Sequence, residues 1–299
     1  MAETGPRTFL ITGGARGMGA LTAWALAQRG DTVLIVDWEG EAGARLEAKL
    51  RAAGYAAHFL LANLAEKDEV EALATRVQSR WPRLDLLLCN AGITYPEFQQ
   101  NRAGVDMHLA ACHLGHFLLL HRLRPCLAAS GHARVIFVAS EGHQACQSLD
   151  QEHPDGAHFW AGRRLSHAAA FKAYARAKLA MLLCLPVWAE KLAADNIRVA
   201  AISPGYFVNT GIHRDMRGIF RIGAALIFGL GQLLRLSTAE RGARAHIQLS
   251  TMPAADFPHG QYWSHKGPLQ SSALARDPAL QAQAFAWSAQ LCELAPENT

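Results

Sequence analysis

Thr8-Phe9-Leu10-Ile11-Thr12-Gly13-Gly14-Ala15-Arg16-Gly17-Met18-Gly19 reads as a buried strand running into spaced glycines, and the helix-like Ala20-Leu21-Thr22-Ala23-Trp24-Ala25-Leu26-Ala27 follows at once. Strand, glycine turn and helix start make an anion-binding opening, because the first amides of a helix lack intrahelical acceptors and its dipole favours negative charge there. Gly13 permits the sharp turn, Gly17 lets a pyrophosphate approach those amides, and Gly19 lets helix and strand pack closely. The glycines alone also describe a tight turn with no ligand. Their spacing departs from the general G-x-G-x-x-G pattern, and no Gly-Lys-Ser/Thr follows, which removes a mononucleotide P-loop.

Working outward, Thr32-Val33-Leu34-Ile35-Val36-Asp37 is a second apolar run, and it ends in an acid about 20 residues beyond the glycines. That carboxylate is placed to accept from a ribose 2′-hydroxyl and to repel a 2′-phosphate, which favours NAD over NADP; a solvated helix cap is the plainer use of such an Asp. Arg16 argues the other way, since a cation in the glycine turn suits a phosphate. Asp37 is weighed more heavily because a like-charge contact actively rejects a ligand.

Further on, helix-like and strand-like segments alternate: 41–53 helical, 58–61 extended, 66–81 helical and 84–89 extended, the last ending in Asn90-Ala91-Gly92. A long apolar helix over about 105–129, a fifth strand over 134–140, a helix over 171–194 kinked at Pro186 and a sixth strand over 197–203 follow. The tail supplies one more helix, a short strand around Gln261-Tyr262-Trp263 and a terminal helix over 278–294. Such alternation gives an α/β domain, a parallel sheet with helices on both faces. Gly13, Asp37, Asn90, Ser140 and Pro204 then share the carboxyl edge of that sheet, where open parallel sheets bind ligands.

The 299 residues are 51% hydrophobic and 18% charged, enough for a large core and too apolar for a disordered chain. The net charge of +4 comes from scattered Lys and Arg with no aromatic interleaving, so nucleic acid is not expected as a partner. Cys89, Cys112, Cys126, Cys146, Cys184 and Cys292 form no Cys-x-x-Cys pair and read as reduced, buried thiols of a cytoplasmic protein. Met1 to Pro6 carries no basic-then-apolar leader, and the longest apolar stretch, Ile222 to Leu234, is too short for a transmembrane span. The segment 214–236 reads as a lid in preference to a membrane-surface helix, its basic residues being few.

Tyr174 and Lys178 stand four apart on one helix and so share a face, where an ammonium beside a phenol lowers its pKa and makes Tyr a usable acid and base. Tyr262 and Lys266 repeat the spacing in a strand-to-turn segment, where the two do not share a face. His108, His113, His116 and His121 recur along one helix without a Cys or acid at metal spacing, so they read as packed or capping side chains and no metal site is expected. His143, His153, His158 and His167 cluster between Ser140 and Tyr174, either at a substrate entrance or in a surface loop.

Thr12-Gly13-x-x-x-Gly17-x-Gly19, Asp37, Asn90-Ala91-Gly92, Ser140, Tyr174-x-x-x-Lys178 and Pro204-Gly205, in this order, closely resemble the short-chain dehydrogenase/reductase family. His113-Leu114-Gly115-His116-Phe117, Ser140-Glu141-Gly142-His143, Gln261-Tyr262-Trp263-Ser264 and the long Ser140-to-Tyr174 connection resemble its retinol-dehydrogenase-like branch. The resemblance implies a single-domain Rossmann fold over 1–299, a doubly wound parallel seven-stranded sheet with an insertion at 143–170 and a substrate lid at 206–236. It implies hydride exchange with NAD, with Tyr174 exchanging a proton with the substrate oxygen, Ser140 hydrogen-bonding that oxygen, and Lys178 holding the nicotinamide ribose.

Cofactor contacts are implied at Gly13, Arg16, Gly17, Met18 and Gly19, at Asp37 and Trp38, at Asn63 and Leu64, and at Asn90, Ala91 and Gly92. The remainder come from Tyr174, Lys178, Pro204, Gly205, Phe207 and Thr210, the Thr lying one residue later than is usual. Asn63 stands where the family often has an Asp against the adenine, and its amide oxygen retains an acceptor. One departure touches the catalytic set: where the family has an Asn that helps hold a water linking the Lys to solvent, this chain has Cys112. The expected activity interconverts a hydrophobic secondary alcohol and ketone, or alcohol and aldehyde, slowed by Cys112. A non-catalytic dinucleotide-binding scaffold or sensor is the alternative. The resemblance further implies a homodimer or homotetramer built through the two long helices that hold Cys112 and Tyr174.

Overall fold

The computed structural model describes residues 6–149, 160, 162, 164–205 and 239–295. In chain order the elements begin β1 (Thr8–Thr12), α1 (Gly17–Ala27), β2 (Thr32–Asp37), α2 (Gly40–Ala52), β3 (Ala57–Leu61), α3 (Lys67–Arg80) and β4 (Leu86–Cys89). They continue with α4 (Met107–Leu109), α5 (Gly115–Ala128), β5 (Arg134–Val138), α6 (His167–Ala193) and β6 (Arg198–Ser203). The tail holds α7 (Ala239–Thr251), β7 (Tyr262–Ser264), β8 (Gly267–Pro268) and α8 (Pro278–Leu291).

The strands form one sheet in the order β3-β2-β1-β4-β5-β6-β7-β8, parallel through β7 and closed by the two-residue antiparallel β8. Seven parallel strands match the expected sheet; the extra strand is the Gly267-Pro268 return after β7. Alternate residues of each strand face opposite sides. Leu10, Leu34, Leu87, Val135 and Val199 meet α3, α5, α6 and α8 in one core, whereas Phe9, Val33, Leu86, Ile136 and Ala200 meet α1, α2 and α7 in the other. That alternation of wholly apolar runs is what covers both faces of the sheet with helices.

Chain order reverses between β1 and β4, which pair directly with Ile11 opposite Leu88. The crevice outside this reversal is where a doubly wound sheet receives its ligand. The long helix expected over 105–129 is divided. Asp106 caps it by accepting from His108 N and Leu109 N, α4 gives one short turn, a wide π-helical turn spans Ala110–Leu114, and α5 resumes at Gly115. At Gly115 the helix lies so close to the β3–α3 loop that a Cβ would stand 2.1 Å from the Leu64 carbonyl oxygen. Helix α6 runs unbroken through Pro186.

Candidate active site

The glycine turn is held shut from β4. Gly13 adopts φ +60°, and a Cβ there would come within 2.8 Å of Ala91 Cα; a Cβ on Gly19 would stand 2.2 Å from the Gly13 carbonyl oxygen. The Asn90 side-chain amide donates to the carbonyls of Thr12 and Gly13 at 2.8 and 3.0 Å. In return the Thr12 hydroxyl accepts from the backbone amides of Asn90 and Ala91 at 2.9 and 3.0 Å. Its own hydrogen suits His116 Nε2 at 2.9 Å, with the His116 Nδ1–H directed at the Cys112 carbonyl at 3.4 Å. Burial holds the His116 imidazole neutral, at a pKa of about 3, which permits that acceptor role.

Helix α1 leaves this turn with no side-chain cap and no acid in its first turn, so its leading amides and dipole face the crevice. A glycine turn that cannot tolerate a Cβ, an uncapped helix start and an acid at the end of β2 fit a dinucleotide diphosphate and its adenosine ribose. Asp37 accepts from Ala15 N at 3.0 Å and Glu39 N at 3.1 Å; burial pushes its carboxyl above the ordinary range while these amides pull it back. Arg16 lies 2.6 Å from the Glu39 carboxylate. Trp38 is exposed at the same edge. The Asn63 amide oxygen accepts from Ala65 N at 3.0 Å, and Met18 and Leu64 turn their side chains into the protein.

At the end of β5, Ser140 caps a short 3-10 turn, Glu141–Ala145, its Oγ accepting from Gly142 N at 3.0 Å. The Tyr174 phenol of α6 is hydrogen-bonded to this hydroxyl. Lys178, one turn further, is buried and donates to the Val138 carbonyl at 2.6 Å, with Nζ 5.7 Å from the centre of the Tyr174 ring. The phenol is not acidified as its spacing to Lys178 predicts. Burial and the nearby Cys112 push the Tyr174 phenol up, the Ser140 hydrogen bond opposes them, and burial brings the Lys178 ammonium down.

Cys112 lies in the π-helical turn with its sulfur against the loop after β4. It accepts from Ile93 N at 3.3 Å and donates to the Ile93 carbonyl at 3.5 Å, its thiol pushed up by burial and so kept protonated. A Cβ on Gly92 would sit 3.7 Å from Cys112 Sγ and 3.8 Å from Lys178 Nζ, so the loop and both side chains share one small space.

Several residues take roles the sequence did not disclose. His143 is buried, not at an exposed loop: its Nδ1–H donates to the Ser140 carbonyl at 2.6 Å and its Nε2 accepts from Ser272 N at 3.0 Å. Glu141 accepts from the Ser203 hydroxyl at 3.1 Å, and that hydroxyl accepts from Gly205 N at 3.2 Å, which ties the serine strand to the Pro204-Gly205 loop. Trp160 acts as an anchor. It is buried, and its indole donates to Asp106 Oδ2 at 2.7 Å while Asp106 Oδ1 faces His108 Nδ1 at 3.1 Å. Phe207, Thr210, the 206–236 lid, His153, His158 and Phe159 lie outside the described residues.

Ser140, Tyr174, Lys178, Cys112, Asn90 and the glycine turn thus meet at one crevice in the topology the sequence motifs require, and residues 7–148 match the family model for short chain dehydrogenase. The chain belongs to the short-chain dehydrogenase/reductase family. It is 33% identical to a Streptomyces lividans protein named Probable oxidoreductase, over 86% of this chain and 84% of that one. Human Dehydrogenase/reductase SDR family member 13 is 34% identical over 67% of this chain, and the chain spans 51% of that relative's length. Mouse Retinol dehydrogenase 14, 28% identical over 86% of this chain and 77% of its own, places these likenesses in the family's retinol-dehydrogenase-like branch. A solved structure of an uncharacterized protein from Mycobacterium paratuberculosis superposes with a TM-score of 0.74 at 27% identity, covering 96% of this chain and 94% of its own.

Proposed function

We propose that this short-chain dehydrogenase/reductase uses NAD(H) to interconvert a hydrophobic secondary alcohol and its ketone, or an alcohol and aldehyde. The hydrogen-bonded Ser140–Tyr174 pair, with Lys178 one turn away on the same helix, carries the reading. Bound NAD supplies the hydride acceptor or donor at its nicotinamide ring. Gly13, Gly17 and Gly19 with the open start of α1 hold the diphosphate, Asp37 accepts from the adenosine ribose, and Lys178 reaches the nicotinamide ribose. Ser140 fixes the substrate oxygen by a hydrogen bond, and Tyr174 gives that oxygen a proton on reduction or takes it on oxidation. The apolar character of the substrate rests on Phe171, exposed one turn before Tyr174 with its ring 3.7 Å from where a Gly142 Cβ would stand, and on the exposed Leu165 beside the same helix start.

The test follows reduced-nicotinamide absorbance with NAD and NADP against a panel of hydrophobic secondary alcohols and their ketones. Turnover with NAD is expected, and Tyr174→Phe should lower kcat about 100-fold or more while dinucleotide binding persists. Binding without turnover, unchanged in Tyr174→Phe, would instead establish a dinucleotide sensor.

A further inference from the structure

We infer that Glu39 sets the choice of dinucleotide by holding Arg16 away from the ribose 2′ position; this rests on the NAD reading above and names the residue that enforces it. Arg16 is the cation of the glycine turn and the residue that precedes α1. Left to itself it would favour a 2′-phosphate, since guanidinium and phosphate make strong charge-assisted pairs. The structure gives that guanidinium a carboxylate already. Arg16 Nε lies 2.6 Å from Glu39 Oε2, with the Glu39 side chain 22% exposed and that of Arg16 53% exposed, so the acid is the more fixed partner.

Asp37 stands between the two by its backbone contacts, one oxygen on Ala15 N beside Arg16 and the other on Glu39 N. Among the described residues, the Asp37 and Glu39 carboxylates and the Arg16 guanidinium therefore lie together at the end of β2. A 2′-hydroxyl donates to the free lone pairs of Asp37 and leaves the Arg16–Glu39 pair intact. A 2′-phosphate meets Asp37 and can recruit Arg16 only by taking it from Glu39. Rejection thus has two parts, repulsion by Asp37 and sequestration of Arg16, a cation that would offset it. Glu39 acts through Arg16 and is a positioning residue. Its side chain makes no capping bond at the start of α2, so Glu39→Gln leaves that helix start as it is.

Equilibrium titration of NADH and NADPH against the wild-type chain, Glu39→Gln, Arg16→Ala and the double variant forms a thermodynamic cycle that needs no turnover. Glu39→Gln should tighten NADPH about tenfold or more and leave NADH within about twofold, tenfold being the worth of a single charge-assisted hydrogen bond. In the Glu39→Gln background, Arg16→Ala should abolish the gain. An unchanged NADPH affinity in Glu39→Gln overturns the inference, and so does a gain that survives Arg16→Ala. Tighter wild-type binding of NADPH than of NADH overturns the NAD reading by itself, since the coupling between positions 16 and 39 is read separately from the same four titrations. A wild-type chain that binds neither dinucleotide overturns both.

Discussion

Cys112 stands where the family resemblance implied an Asn, and its sulfur contacts show what a thiol there can do. Donating to the Ile93 carbonyl and accepting from the Ile93 amide, it closes a two-bond clip on the loop Asn90-Ala91-Gly92-Ile93. Sulfur makes weak hydrogen bonds. A carboxamide could make the same two bonds more strongly, with its oxygen accepting from the amide and its nitrogen donating to the carbonyl. Cys112→Ala leaves both backbone groups without this partner and should cost about 1–3 kcal/mol of stability, with a matching fall in dinucleotide affinity because Asn90 holds the glycine turn from the same loop. Cys112→Asn should raise both stability and turnover and alter the pH profile of kcat through the adjacent Lys178. If Cys112→Asn gains nothing in rate and keeps the wild-type profile, the clip has no bearing on the proton path. Lys178 belongs to the same argument, for the spacing Tyr174-x-x-x-Lys178 fixed the shared face but not the carbonyl of Val138 that takes the ammonium.

Between the glycine turn and the back of the sheet, α5 and the π-helical turn before it carry histidines whose environment makes an acid-sensitive element. His113 and His116 are held at pKa about 3 by burial, and His246 of α7 at about 4, against an ordinary 6.5. Below about pH 6.5 the unfolded chain takes up protons that the folded one refuses, so unfolding is favoured progressively until the folded pKa values are reached. Each histidine contributes a slope of about 1.4 kcal/mol per pH unit, and the three together about 4, with stability rising as pH rises. Urea unfolding between about pH 6 and pH 4.5 should show this slope, and His116→Gln should remove roughly one third of it; an equal slope in both proteins would refute the assignment. The sequence showed His113 and His116 as packed or capping side chains, because they recur with His108 and His121 on one helix with no metal partners. It could not show the π-helical turn, since the apolar pattern runs unbroken from Val105 to Ala129 and a widened turn leaves no mark on it. Nor could it show Arg16 meeting Glu39, whose contact arises only when the crossover through α1 returns β2 beside β1. The carboxyl-edge residues were legible for the opposite reason: each ends a strand of distinct apolar character, and chain order alone put them on one side.

At the scale of the molecule, the terminal helix decides which faces are open. Asp277 starts α8 by accepting from Ala279 N at 2.8 Å and Leu280 N at 3.2 Å, and Pro278 occupies the first turn, where its missing N–H costs nothing. The helix then lies across α5 and α6. Phe285 fits between Phe117 and Trp188 with ring centres 4.9 Å from each, Ser288 Oγ meets His113 Nε2 at 2.7 Å, and the Trp287 ring lies 5.8 Å from the Arg176 guanidinium. These are the two helices through which the family resemblance implied association into a dimer or tetramer. Among the described residues α8 covers part of their apolar surface, and association through that part would require α8 to leave. Light scattering should therefore report the monomer mass, and hydrogen exchange of α5 and α6 should be independent of protein concentration. Phe285→Ala, which empties a buried aromatic site packed against Phe117 and Trp188, should lower unfolding free energy by about 3–5 kcal/mol and shift the mass toward dimers or aggregates as the α5–α6 face is uncovered. A wild-type dimer whose formation protects α5 and α6 from exchange would show that α8 shares the face with a partner instead of replacing one.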